Sequence, residues 1–168
     1  KYTIGKATQG LANYLIKQFP DQKIKVAVSY DSRNNSQSFG NLVADVFSGN
    51  GFQVYLFEEL RPTPMLSFAV RHFGCQGGVM LTASHNPKEY NGYKAYWNDG
   101  GQLVAPHDKN VITEVNAITS VKEIKFERIA ENVTVIGAEF DALYINANKA
   151  LSIHPEAVKA QKDLKIVF

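Results

Sequence analysis

The sequence is poor in the features that mark specialised proteins. Its 168 residues contain one cysteine, Cys75, so no internal disulfide can form. A reducing compartment, the cytoplasm, is the expected location. Neither sign of charge is in excess: 18 Lys and Arg stand against 16 Asp and Glu, a formal net charge of +2. A balance so close to zero makes no polyelectrolyte field, so nucleic acid is not an implied partner. No apolar run approaches the ~20 residues of a bilayer span, and no N-terminal stretch reads as a signal peptide. No membrane partner is expected. Six prolines and 12 glycines occur without period or tract, which excludes collagen-like and low-complexity chains.

What is present is ordinary for a folded chain: 45% hydrophobic and 20% charged residues. The length suits one domain, taken as roughly 100–200 residues. The first residue is Lys1 rather than Met, and Leu164–Phe168 is an apolar, strand-like run with nothing after it. The expectation is a fragment of a longer protein.

Helical and extended patterns alternate along the chain. Thr8–Phe19 carries Leu11, Leu15 and Phe19 at helical intervals, and Pro20-Asp21 breaks the pattern. Ile24–Tyr30 alternates β-branched residues and predicts a strand. Ser36–Asn50 puts Phe39, Leu42, Val43, Val46 and Phe47 on one helical stripe, and Gly51 follows as a residue that tolerates positive φ. Gln53–Phe57 predicts a second strand. Thr63-Pro64 reads as an N-cap followed by a first-turn proline, with Met65, Phe68, Ala69 and Phe73 on one face. Gly77–Leu81 predicts a buried strand, and Tyr93–Trp97 another. His107–Ile118 predicts a helix with Val111, Ile112, Val115 and Ile118 inward. Beyond Ser120 the pattern weakens, with a helix expected over Glu139–Leu151 and a last strand over Leu164–Phe168. This order predicts an α/β fold: a layered α/β/α domain with a mixed, mostly parallel sheet. Residues 1–120 are expected to form it, and 121–168 to complete it and lead into a further domain. Ligands of such sheets gather at loops beyond the carboxyl ends of strands. Asp31–Asn35 and Thr82–Gly92 are the two polar loops there.

Thr82–Lys94 is the most informative stretch. A hydrophobic strand ends at Leu81, and Ser84 follows with His85 beside it. Asn86-Pro87 and Asn91-Gly92 each predict a turn. Two turns in one loop can return Lys94 towards Ser84. A hydroxyl, an imidazole and an ammonium would then converge at a strand end. That set suits phosphoryl transfer, in which cationic groups neutralise phosphate oxygens and a lysine exchanges a proton with a hydroxyl. The G-x-S-x-G elbow of a serine hydrolase is absent. Taken alone, a loop serine is most often a turn or cap residue, and a lone histidine a surface one. Asn86 and Asn91 read as turn-formers, Cys75 as a small buried side chain. Tyr93, Tyr96 and Trp97 read as core, with an aromatic sugar platform the lesser reading, and His107-Asp108 as a helix cap.

The run Thr82-Ala83-Ser84-His85-Asn86-Pro87, followed by Asn91-Gly92-Tyr93-Lys94, closely resembles the phosphoserine loop of the α-D-phosphohexomutases, the phosphoglucomutase and phosphomannomutase family. Tyr30-Asp31-Ser32-Arg33 resembles that family's Asp-x-Arg loop. Arg61-Pro62-Thr63-Pro64 resembles its Pro-Thr-Pro helix start, and Asn98–Gln102 the segment that closes its active-site hairpin. The resemblance runs from near Tyr2 to about Ile118, more faintly to Phe168, and corresponds to the first of four domains. It implies that Ser84 carries the transferable phosphate, that Lys94 is the general acid/base, and that His85 contacts phosphate or the reacting hydroxyl. It makes Arg33 either a phosphate contact or a salt bridge that holds the loop through Asp31 or another acid.

The implied reaction interconverts sugar 1-phosphate and 6-phosphate, with glucose the favoured sugar, through a bisphosphate that reorients. The implied cofactors are Mg²⁺ and, as activator of the full-length enzyme, glucose 1,6-bisphosphate. The metal would touch this chain through the phosphate on Ser84. Its remaining ligands lie in an Asp-Gly-Asp-x-Asp-Arg loop of the second domain, a motif missing here. The partners implied are a sugar phosphate and the remaining domains of the same chain, without which little turnover is expected. The aromatic pattern of Glu89–Lys94 and Tyr96-Trp97 resembles the phosphoglucomutase and phosphopentomutase branch more than the phosphoglucosamine one. Phosphopentomutase, glucose-1,6-bisphosphate synthase and a non-catalytic sugar-phosphate-binding module are the other readings.

Overall fold

The structure, a computed structural model, describes every residue except Ile166 and Phe168. Two compact units divide the chain, residues 1–137 and a second unit starting at Ala138. In the first, α1 (Tyr2–Gln18), β1 (Lys25–Tyr30), α2 (Ser36–Gly49), β2 (Gln53–Phe57), α3 (Thr63–His72), β3 (Gly77–Leu81), β4 (Tyr93–Trp97), α4 (His107–Ala117) and β5 (Val133–Ile136) follow in order. The sheet runs β4-β3-β1-β2-β5. All neighbours are parallel except β3 and β4. This is the expected mixed, mostly parallel sheet.

Two adjacent glycines show the layering. Side chains alternate across a strand, so Gly77 faces Leu15 of α1 while Gly78 faces Val70 and Leu66 of α3. Helices therefore cover both faces. On one face Leu11 and Leu15 of α1, Val43 and Phe47 of α2 and Val111 of α4 pack with Val26, Val28, Val54 and Val79 of the strands. Burying a side chain of this size contributes about 1.5–3 kcal/mol. On the other, α3 buries Met65, Leu66, Ala69 and Val70.

Several expectations are corrected. α1 begins at Tyr2, six residues before the predicted start. Gly5 and Gly10, poor helix formers, obscure its first turns in the sequence. Gly10 is where Val115 of α4 packs against α1 with no room for a Cβ. Pro62, not Thr63, is the N-cap of α3, so Thr63 and Pro64 are its first helical residues. Ile112 points outward, 58% exposed, while Val111 and Ile118 are buried. His107 and Asp108 give α4 no side-chain cap, since its N-cap is Pro106. Instead His107 stacks on Trp97 at 4.1 Å between ring centroids and pairs through Nδ1 with the Tyr14 hydroxyl at 2.8 Å. β5 was hidden by its length of four residues and by two exposed positions, Thr134 and Val135.

The second unit holds α5 (Ala138–Ala150), close to the predicted helix, and α6 (Pro155–Ala160). Of the expected last strand over Leu164–Phe168, Ile166 and Phe168 lie outside the described residues, and Leu164, Lys165 and Val167 are not in a strand.

Candidate active site

Register brings the two polar loops together. Tyr30 pairs with Leu81, and Leu81 pairs with Tyr93. The residues just beyond, Asp31 and Thr82, therefore leave the sheet side by side. Lys94 sits one residue into β4, opposite Met80. The β3–β4 ladder extends outward through Thr82 N–H to the Gly92 carbonyl at 3.2 Å. Gly92 is needed for this approach: a Cβ there would lie 2.5 Å from the Thr82 carbonyl oxygen. Asn91-Gly92 is thus a strand entry rather than the predicted turn. Asn86 does close one, with its N–H on the Ala83 carbonyl at 3.1 Å.

Ser84 and His85 are exposed on the loop between the strands. Ser84 has φ +54°, the left-handed region. For a residue with a Cβ this costs of order 1–2 kcal/mol and persists only where the surroundings impose it. Lys94 Nζ donates to Ser84 Oγ at 3.5 Å, the long limit of a hydrogen bond. Serine and lysine, ten residues apart, thus meet as expected, brought together by the β3–β4 ladder and one turn rather than by two turns. His85 makes no hydrogen bond or ion pair among the described residues and is adjacent to the serine.

Arg33 makes the salt bridge of its two expected readings, with Nε donating to Asp31 Oδ2 at 3.0 Å. Its side chain is 9% exposed. Nη1 donates to the carbonyls of Asn86 and Pro87, each at 2.7 Å, and of Tyr90 at 3.3 Å. Nη2 donates to the Ser84 carbonyl at 2.6 Å. Asp31 also accepts from the Arg33 amide and the Ser36 hydroxyl, each at 3.1 Å. Partial burial alone would raise the Asp31 pKa. Hydrogen bonds from Thr82, Arg33 and Ser36 and the Arg33 charge outweigh it, holding the carboxyl below its usual range.

Sequence reasoning missed three members of this network. Thr82 is buried and bonds Asp31. Ser36, 1% exposed, also has its hydroxyl 2.8 Å from Asn91 Oδ1, so its one proton is shared between that oxygen and Asp31. Asn91 in turn donates from Nδ2 to the Asn34 carbonyl at 2.7 Å. All three bonds link loops far apart in sequence, so no local pattern announces them.

A cleft of about 570 Å³ opens beside this network, lined among others by Asp31, Arg33, Asn35, Ser36, Glu59 and Leu60. Among the described residues no group of three or more His, Cys, Asp or Glu is placed to hold a metal ion. Cys75 is buried as expected, and burial pushes its thiol up to about 12 despite the nearby Lys25 charge. Tyr96 is buried, and Trp97 packs against the core. No helix is long and apolar enough to cross a membrane, among the described residues.

The family described as phosphoglucomutase/phosphomannomutase, alpha/beta/alpha domain I, matches residues 1–122. The chain belongs to that family. It is 46% identical over 116 residues to human phosphopentomutase, covering 65% of this chain and 19% of that protein. It is 34% identical over 173 aligned positions to the phosphoglucomutase of Staphylococcus haemolyticus, covering 100% of this chain and 30% of that one. The crystal structure of the exocytosis-sensitive phosphoprotein parafusin, a phosphoglucomutase from Paramecium in its open form, superimposes with a TM-score of 0.76. At 20% identity over 97% of this chain and 34% of that one, the likeness shows the fold alone. The chain spans under a third of the length of these two curated relatives.

Proposed function

We propose that the chain is the phosphoryl-carrying first domain of a sugar-phosphate mutase, acting with further domains of a longer protein, and that its sugar is glucose. Residues 1–120 carry the phosphoserine loop, and the chain beyond 120 completes the sheet with β5. The observation that carries the reading is the meeting of Lys94 Nζ and Ser84 Oγ at 3.5 Å. Ser84 bears the phosphate. The oxygen of a sugar hydroxyl attacks phosphorus, and the bond from phosphorus to Ser84 Oγ breaks. The net proton movement is from the sugar hydroxyl to Oγ, and Lys94 supplies the proton at the serine end. After the sugar bisphosphate reorients, the reverse transfer returns its other phosphate to Ser84. His85, adjacent and exposed, contacts the transferring group.

Mg²⁺, when bound, would offset charge on the phosphate. This chain alone does not fit a metal, because its described residues lack a cluster of ligands. It would offer the phosphate on Ser84, with carboxylates supplied from elsewhere in the protein. The buried free thiol suits a cytoplasmic setting.

The 46% identity to human phosphopentomutase favours a pentose phosphate as the second reading. A bisphosphate synthase uses the same half-reaction. The test uses the full-length protein with Mg²⁺ and glucose 1,6-bisphosphate, phosphate being mapped by peptide mass spectrometry in wild type and Ser84→Ala. Phosphate is expected on Ser84, absent in the variant, and removed by added glucose 1-phosphate. Removal by ribose phosphate alone moves the pentose reading ahead. A protein that never takes phosphate at Ser84 is instead a sugar-phosphate-binding module.

A further inference from the structure

We propose that Arg33 is a positioning residue, its guanidinium aligned by Asp31 to hold the loop of residues 84–90 so that the Ser84 hydroxyl faces Lys94. The inference rests on the phosphoserine reading of Ser84. Each guanidinium nitrogen has a protein acceptor: a carboxylate oxygen on Nε, three carbonyls on Nη1 and one on Nη2. A group engaged in this way and only 9% exposed is held by the protein, not offered to an incoming phosphate. Its acceptors are all backbone atoms of the one loop, apart from Asp31.

The consequence for the loop is directional. In a trans peptide the carbonyl and the following N–H point in opposite directions. Carbonyls of Ser84, Pro87 and Tyr90 turned onto Arg33 therefore turn the N–H groups of His85, Lys88 and Asn91 away from it. None of the three N–H groups donates to a backbone carbonyl among the described residues. The loop thus faces inward with acceptors and outward with donors, the polarity an anionic group requires. The Ser84 carbonyl bond acts on the residue whose φ is +54°, so the clamp opposes relaxation of Ser84 to ordinary backbone. Asn91 and Ser36 tie the far end of the loop to the same Asp31.

The test is made in the full-length protein with Arg33→Gln, Arg33→Lys and Asp31→Asn. Turnover of glucose 1-phosphate and amide hydrogen exchange of the 84–91 peptide are read together. Arg33→Gln is expected to lower kcat roughly a hundredfold, the scale of a 1 Å misplacement, with KM within about twofold. Exchange should rise in that peptide and not across the sheet. Arg33→Lys should fail to restore either, because a compact ammonium cannot span four carbonyls as the planar fork does. Asp31→Asn leaves the guanidinium in place but unaligned. It should change both readouts in the same direction, which keeps the test decisive if Arg33→Gln does not fold. A raised KM with kcat near wild type, partly restored by lysine, would make Arg33 a phosphate contact and overturn the proposal. Unchanged exchange over 84–91 in both Arg33→Gln and Asp31→Asn would also overturn it. A wild type that never carries phosphate on Ser84 is a separate result: it removes the phosphoserine reading, while the exchange data still decide whether Arg33 clamps the loop.

Discussion

Asp31 links the chemistry of one side chain to the shape of a loop. Its carboxyl is held below the 3.8 of an ordinary aspartate. A group whose folded pKa is depressed contributes stability that is present above the unfolded value and lost as pH falls through the folded one. The loop network should therefore be intact at neutral pH and loosen in acid. Amide exchange over residues 84–91, corrected for intrinsic rate, should accelerate as pH drops below about 4, while β1 and β3 stay protected. Asp31→Asn should show fast exchange already at pH 7 and little further change in acid. A pH-independent wild-type profile would remove Asp31 from this role. Asn91 reads in sequence as a turn residue, yet it holds two loops together through Ser36 and the Asn34 carbonyl. The sequence carries the residue types of this network and its local pairs, Arg33 and Ser36 with Asp31, but not the bonds that tie them to residues 84–91, which join positions more than fifty residues apart.

At the scale of elements, the β3–β4 hairpin positions the site. Its ladder, from Gly77 opposite Trp97 to Leu81 opposite Tyr93, places Lys94 in register with the strand that leads to Ser84. Gly92 is the tight point, since a Cβ would meet backbone rather than a movable side chain. Gly92→Ala should therefore destabilise by about 1–3 kcal/mol, the range of overpacking, read as a lower urea midpoint with unchanged m-value. Protection of the Thr82 amide should fall with it. A midpoint equal to wild type would show that the hairpin end adjusts freely. The strand boundaries of this hairpin were legible, because Gly77–Leu81 and Tyr93–Trp97 are short apolar or aromatic runs bounded by turn residues. β5 was not, since it is an edge strand with one buried residue in four. The early start of α1 was hidden by Gly5 and Gly10, whose reasons lie in distant residues, Phe126 for the first and Val115 of α4 for the second.

For the molecule as a whole, the relevant division falls after Gly137. The first unit contains the whole five-stranded sheet and the described core around Leu11, Val28, Phe47 and Val79. A chain ending at Gly137 should therefore keep a single cooperative thermal transition. Its midpoint should lie within about 4 °C of the full 168 residues, roughly 1 kcal/mol for a chain of this size. Circular dichroism melts of the two chains decide it, and loss of a cooperative transition in the shorter one would show that the sheet depends on residues 138–168. The relatives matched are longer than this chain by threefold or more.

Local pattern was enough for the α/β alternation, for most strand boundaries and for the loop in which a serine and a lysine meet. Periodicity and turn chemistry act between near neighbours, and these features depend on near neighbours alone. The run from Thr82 to Pro87, with Asn91–Lys94 at its spacing and three further stretches in order, was enough for the family. Folding decided the rest: the strand order, the left-handed Ser84, the close approach at Gly92, and the inward turn of four loop carbonyls onto Arg33. Each of these comes from contacts between segments far apart in the chain. The alternatives for Arg33, phosphate contact or loop clamp, require the same residue in the same motif. Only where its guanidinium points separates them.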